Sequence, residues 1–308
     1  MSTFDTTEKC AACGKGDDGL KTCNGCKAVK YCDVSCQKAH RKQHMKQCKR
    51  RAAELFDEAL FKQPPPRKDC AICMHQLPIA EETVYKSCCG TTICGGCMYG
   101  QIKMGPKSHK CPFCRLPPSK SNKESMDRYN KRMEAGDADA FFTVGSMYMY
   151  GGDGVSQDTN KALELYSRAV DLGSIEAHNK IGLLYSDGKY LPKDSKKMFY
   201  HYQQGAMKGC EYARYHLGVE EYKMGKIDRA MRHWVIGATM GHKGSLNNVK
   251  AGFTKRVVTK AQYENALRGY QAYIVESKSE KRDKVAPMMQ KDKTLTSLKY
   301  DKNRTRPK

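Results

Sequence analysis

The chain has no run of about eighteen apolar residues able to cross a bilayer as a helix. Its opening segment, Met1 to Lys9, is polar and acidic, without the apolar core of a secretory leader. These absences predict a soluble, intracellular chain, cytoplasmic or nuclear, with no membrane partner. Two signatures of chemistry are missing as well. There is no nucleophile elbow, and the cluster Gly151-Gly152-Asp153-Gly154 lies between helical stretches rather than between a strand and a helix, so it is not a phosphate loop. Negative charge is scarce: 33 Asp and Glu stand against 55 Lys and Arg in 308 residues, a formal +22. That balance favours acidic partners such as nucleic acid or an anionic protein surface. Part of the excess sits in a basic tail, 278–308, expected to be disordered.

Cysteine is abundant and confined to two places. All sixteen but Cys210 fall in two blocks: Cys10-x2-Cys13, Cys23-x2-Cys26, Cys32-x3-Cys36 and His44-x3-Cys48, then Cys70-x2-Cys73, Cys88-Cys89, Cys94-x2-Cys97 and Cys111-x2-Cys114. Two residues between thiolates let both sulfurs of a turn reach one tetrahedral metal. Eight ligands per block fit two zincs, about four per chain. A disulfide framework would require an oxidising compartment. Each block is too short to build a hydrophobic core, so zinc is expected to supply its folding energy.

The first block, 10–48, resembles the MYND-type zinc finger along its whole length, including Tyr31-Cys32, Cys36-Gln37 and His44-x3-Cys48. The resemblance implies interleaved ligands: Cys10, Cys13, Cys32 and Cys36 on one zinc, and Cys23, Cys26, His44 and Cys48 on the other. His40, His44 and Cys48 share a helix face at i, i+4 and i+8, so geometry alone admits His40; the resemblance favours His44 and leaves His40 as a surface residue. MYND fingers commonly dock proline-containing peptides with a Gln and a nearby Trp. Here Gln37 is present and Arg41 stands where the Trp usually sits, which removes the flat apolar platform for a proline. A proline-containing peptide is the partner implied, without that platform.

A linker follows over 49–68. Lys49-Arg50-Arg51 precede Leu55, Phe56, Ala59 and Leu60 on one face, which predicts a short amphipathic helix stopped by Pro64-Pro65-Pro66. The second block, 70–115, resembles a RING domain of the all-cysteine kind. Cross-brace pairing would place Cys70, Cys73, Cys94 and Cys97 on one zinc and Cys88, Cys89, Cys111 and Cys114 on the other. Adjacent Cys88 and Cys89 depart from the family spacing and need a tight turn, which Gly90 can help to form; His109 is the substitute ligand if one of them fails. With these ligand sets the zinc-loaded chain carries +15 rather than +22. RING ubiquitin ligases hold a ubiquitin-conjugating enzyme and carry no nucleophile of their own. On that resemblance Ile72, Pro112 and Arg115 match the residues that contact the conjugating enzyme and its ubiquitin.

Beyond a helical stretch near Asp127 to Met133, a period of about 36 residues runs over 136–277. Gly145, Gly182 and Gly218 recur, as do Gly173, Gly209 and Gly241 and the small residues Ala140, Ala177 and Ala213. Tyr166, Tyr202 and Trp234 occupy equivalent places. The pattern resembles Sel1-like repeats, relatives of the tetratricopeptide repeat that stack helix pairs into a solenoid presenting a groove to a protein or peptide. Thr259-x-x-Gln262 reads as a capping box opening a terminal helix with Tyr263, Leu267, Tyr270 and Ile274. Cys210 opens the third repeat as a small packing residue.

The expected architecture is mainly α: two small cross-brace zinc modules, MYND-like and RING-like, followed by an α-solenoid of Sel1-like helix-pair repeats. The expected function is a zinc-binding protein-interaction protein, a RING-type ubiquitin ligase whose solenoid recruits substrate. A non-enzymatic adaptor is the alternative, and a nucleic-acid-associated regulator acting through the basic tail ranks third. Zinc removal is expected to melt the two modules and spare the repeats.

Overall fold

The computed structural model describes residues 9–16, 19–79, 83–103, 110–152, 154–186, 188–280 and 282–284. They form two compact bodies, one ending at Lys62 and one beginning at Gln63.

In the first body, strands β1 (Lys21–Thr22) and β2 (Lys30–Tyr31) pair antiparallel, with Lys21 opposite Tyr31, and lead into helix α1 (Val34–Leu60). Asp33 starts α1 by accepting the Cys36 N–H at 2.8 Å. The expected linker helix is not separate. It is the second half of α1, because residues 49–54 contain no breaker and Arg51 pairs with Glu54 and Glu58 along the surface.

The second body begins with a small zinc-type module. Strands β3 (Thr83–Lys86) and β4 (Thr91–Cys94) form an antiparallel hairpin with Thr83 opposite Cys94, and helix α2 (Gly95–Lys103) follows directly. Nine further helices complete the body among the described residues. Helix α3 (Asn122–Glu134) lays Met126, Tyr129 and Met133 against the start of the repeats. The repeats are the pairs α4 (Ala138–Tyr150) and α5 (Thr159–Asp171), α6 (Ile175–Leu184) and α7 (Ser195–Lys208), α8 (Glu211–Lys223) and α9 (Ile227–Thr239), and α10 (Lys243–Thr254) and α11 (Lys260–Ser277).

The glycine period has a packing cause. A Cβ at Gly145, Gly182 or Gly218 would lie 3.0, 2.4 or 2.6 Å from the rings of Tyr166, Tyr202 and Trp234 respectively. In each repeat the first helix therefore presents bare backbone to an aromatic ring of the second. Gly173, Gly209 and Gly241 take left-handed φ of 95°, 100° and 87° where the second helices end. The capping box at Thr259 and Gln262 is present, and α11 buries Ala266 and Tyr273 against the stack.

The second zinc-type module does not stand apart from the repeats. Tyr85 donates to Asp137 Oδ2 at 2.8 Å, and Arg132 bonds the same carboxylate at 2.6 Å. Arg67 forms an ion pair with Glu211, which is 1% exposed. The Ile79 N–H donates to the Tyr273 hydroxyl at 2.9 Å, and Pro64 lies on Gly209. The segment from Gln63 to Ile79 thus meets the N-terminal turn of α8 and reaches α11, while β3 holds the cap of α4 through Tyr85. Separate melting of module and repeats does not fit these contacts.

Candidate metal centres

Four groups of ligand atoms converge, each with all its members within 4.8 Å of one another: Cys10, Cys13, Cys32 and Cys36; Cys23, Cys26, His44 and Cys48; Cys70, Cys73, Cys94 and Cys97; Cys88, Cys89, Cys111 and Cys114. In the first body Cys10 and Cys13 come from a turn ahead of β1, and Cys23 and Cys26 from the turn between the strands. Cys32 follows β2, and α1 supplies Cys36 to one group and His44 and Cys48, one turn apart, to the other. In the second body the hairpin turn brings Cys88 and Cys89, the end of β4 brings Cys94, and the first turn of α2 brings Cys97.

The donor sets fit zinc. A tetrahedron with Zn–S bonds of about 2.3 Å has sulfur–sulfur edges of about 3.8 Å. The observed edges are 3.5 Å for Cys13–Cys32, 3.8 Å for Cys23–Cys48, 3.8 Å for Cys73–Cys94 and 3.6 Å for Cys89–Cys111. These are far too long for disulfides, and all sixteen cysteines are free. His44 turns Nε2 toward its group, 3.3 Å from Cys26 Sγ. His40 accompanies it without joining: it hydrogen-bonds the Tyr31 hydroxyl at 3.1 Å and stacks on His44, so it props that ring and is more than a surface residue. The adjacent pair is accommodated by a turn at 87–90 in which the Gly90 N–H reaches the Lys86 carbonyl at 2.8 Å with φ +76°. The alternative ligand His109 lies outside the described residues.

A common local design recurs in four of these turns. In four of the five Cys-x-x-Cys pairs, Cys94 and Cys97 at the start of α2 being the exception, the residue after the second cysteine is left-handed and donates its N–H back to the first cysteine's carbonyl: Gly14, Lys27, Met74 and Arg115. That turn tilts backbone N–H groups toward the first sulfur. Burial pushes these thiols up, yet the N–H donors outweigh it and bring Cys10, Cys23 and Cys70 down to about 6 and Cys111 to about 7. Each of these four turns therefore favours the thiolate of its first cysteine, the form that binds a metal.

Ile72 lies between the ligands of the first knuckle of the second body and is exposed. Pro112 and Arg115 lie on its last knuckle, Arg115 exposed and Pro112 half-buried. Pattern reading passed over Met74, Phe113 and Leu116, large apolar side chains exposed on the same two knuckles. It also passed over Arg282. This residue lies in the expected basic tail, of which 285–308 fall outside the described residues, yet it is 8% exposed and bonds Cys73 Sγ. In α1, Gln37 and Arg41 are both exposed.

Interleaved metal knuckles joined to stacked helix pairs define a zinc-finger protein with a helical-repeat interaction scaffold. The family comparisons agree: the MYND finger model matches residues 10–48, and the Sel1 repeat model matches 142–174 and 175–210. The chain thus contains a MYND finger and Sel1 repeats. Among solved structures, a Sel1 repeat protein from Oxalobacter formigenes is similar at 25% identity and a TM-score of 0.44, covering 60% of this chain and 76% of that one. The protective antigen c5321 of uropathogenic Escherichia coli is similar at 18% identity and a TM-score of 0.35, covering 63% and 47%. No curated protein matches the chain. No helix among the described residues is long and apolar enough to cross a membrane.

Proposed function

We propose that the second zinc-type module is a RING and that the protein is a RING-type ubiquitin ligase, with all four centres holding zinc. The observation that carries this reading is the cross-brace of Cys70, Cys73, Cys94 and Cys97 with Cys88, Cys89, Cys111 and Cys114, whose first and last knuckles expose Ile72, Met74, Phe113 and Leu116 to solvent. Exposed apolar side chains on metal-rigidified turns make a docking surface with little entropy left to lose. The zincs are structural and take no part in transfer. Ile72 and Pro112 would pack on a ubiquitin-conjugating enzyme, and the Arg115 guanidinium, with its planar fork of donors, would bridge enzyme and ubiquitin carbonyls. Catalysis is then positioning of a thioester made elsewhere. The MYND finger and the remaining surface of the repeats would recruit the substrate.

Reconstituted ubiquitin transfer with a panel of conjugating enzymes tests this. Chain formation by the wild type, abolished in Ile72→Ala and Arg115→Ala with zinc content unchanged, is the expected result. Fully zinc-loaded protein that is silent across the panel would leave the adaptor reading in its place.

A further inference from the structure

Arg282 is separated from Cys73 by 209 residues of sequence, and the fold brings them together. A turn after α11 carries Arg282 back onto the second zinc-type module, where its guanidinium donates to Cys73 Sγ at 3.4 Å, to the Gln76 carbonyl at 2.9 Å and to the His75 carbonyl at 3.3 Å. A further N–H donates to the Ser277 carbonyl at 2.8 Å, and the Arg282 backbone N–H is held by Ser279 Oγ at 3.3 Å. The module leaves room for it at one place. A Cβ on Gly96, between ligands Cys94 and Cys97, would lie 2.9 Å from the Arg282 N and Cα and 2.8 Å from its Cγ. Two of those atoms are backbone, so only glycine admits the turn.

We infer that Arg282 is an outer ligand of the zinc centre at Cys70, Cys73, Cys94 and Cys97, a cation from the end of the repeat array that clasps the module and retains its metal. The inference rests on the reading of that cluster as a zinc site. Four thiolates around one zinc leave a net charge of −2, which burial penalises. A guanidinium bonded to one sulfur offsets that charge, and the same fork ties down the carbonyls of the loop that carries Cys73. Arginine suits the place because a single rigid fork serves a sulfur and three carbonyls at once; a lysine ammonium has no such fork. Gly96 and Arg282 form one device, since the first makes space for the second.

The test is zinc release from the full-length protein under excess chelator, followed by a colorimetric zinc indicator, with bound zinc counted by native mass spectrometry. Wild type, Arg282→Met, Arg282→Lys and Gly96→Ala are compared. In Arg282→Met and Gly96→Ala one zinc of four is expected to leave about 10- to 100-fold faster, the usual range when a partner of a metal ligand is lost. Arg282→Lys should fall nearer to Met than to the wild type. The two zincs of the first body serve as internal control, and circular dichroism verifies that the helices persist. Faster amide exchange over residues 74–79 in both variants would tie the effect to the clasped loop. Superimposable release from all four proteins, each carrying four zincs, overturns the inference while leaving the zinc centres standing. A wild type that carries only two zincs overturns the clasp together with the metal reading beneath it.

Discussion

Lys27, Met74 and Arg115 hold left-handed backbone at φ 56°, 55° and 63°, a conformation that costs a non-glycine residue about 1–2 kcal/mol. The knuckle repays that cost by aiming N–H groups at a thiolate, and nothing in the identities Lys, Met and Arg announces it. Glycine tells more. Gly218 faces Trp234, and Gly218→Ala would push a methyl to 2.6 Å from the indole nitrogen, which is engaged with the Tyr215 carbonyl. Chemical denaturation should show a loss of about 1–3 kcal/mol, whereas Gly152→Ala, whose Cβ meets open space, should stay within about 0.5 kcal/mol of the wild type. Equal effects at both positions would refute the packing account of the glycine period. Cys210 behaves as its isolation in the sequence implied: its sulfur accepts the Ala213 N–H at the start of α8, and burial pushes the thiol up and out of reactive range.

Helix α10 starts on an unusual cap. His242 Nδ1 accepts the Ser245 N–H at 3.0 Å, which requires a lone pair there and hence a neutral ring protonated on Nε2. Between α6 and α7, His178 Nδ1 faces His201 Nδ1 at 3.1 Å, a contact that needs a proton on one Nδ1 and a lone pair on the other, so the two rings cannot both be charged. Burial holds His178, His201 and His242 down to about 4 and His216 to about 3. The unfolded chain therefore takes up protons that the fold refuses. Stability contributed by these rings is complete above pH 6.5 and is lost as pH falls toward 4. Glu176, raised to about 7 by burial, works the other way and offsets part of the loss. The expected outcome is a melting temperature of the repeats that drops from pH 6.5 to 4.5 while NMR shows the four imidazoles still neutral at pH 5.5. Titration of these rings near 6.5 would contradict it. At this scale α1 also shows where periodicity misleads, since an apolar stripe says where a face lies and not where a helix begins.

Across the second body, one buried ion pair joins the entry segment to the third repeat. Arg67→Ala would remove the Arg67 guanidinium from the Glu211 carboxylate, which is 1% exposed, and a loss of about 3–5 kcal/mol is expected in denaturant unfolding. Arg67→Met combined with Glu211→Leu should recover most of it, because two apolar groups need no charge compensation; a double variant as unstable as the single one would discount the pair. Zinc removal belongs to the same scale. With Tyr85, Ile79 and Arg282 tying the module to Asp137, Tyr273 and the turn after α11, chelation should lower the melting temperature of the repeats seen by circular dichroism. An unchanged melt would mean that these contacts contribute nothing to the stability of the array.

The number of metal knuckles and the helix-pair period were legible in the sequence, because each depends on short spacings that local geometry enforces; the interleaving of the ligands was implied by the MYND and RING resemblances and not by the spacings. Two sulfurs two residues apart must share a turn, and a glycine every 36 residues must serve the same packing role each time. The joining of the second module to the repeats was not legible. Arg67 with Glu211, Tyr85 with Asp137 and Arg282 with Cys73 are single residues paired across 52 to 209 positions. A lone charge in a basic chain looks the same whether it is solvated or buried. Only the folded backbone decides which of them loses its water and must find a partner.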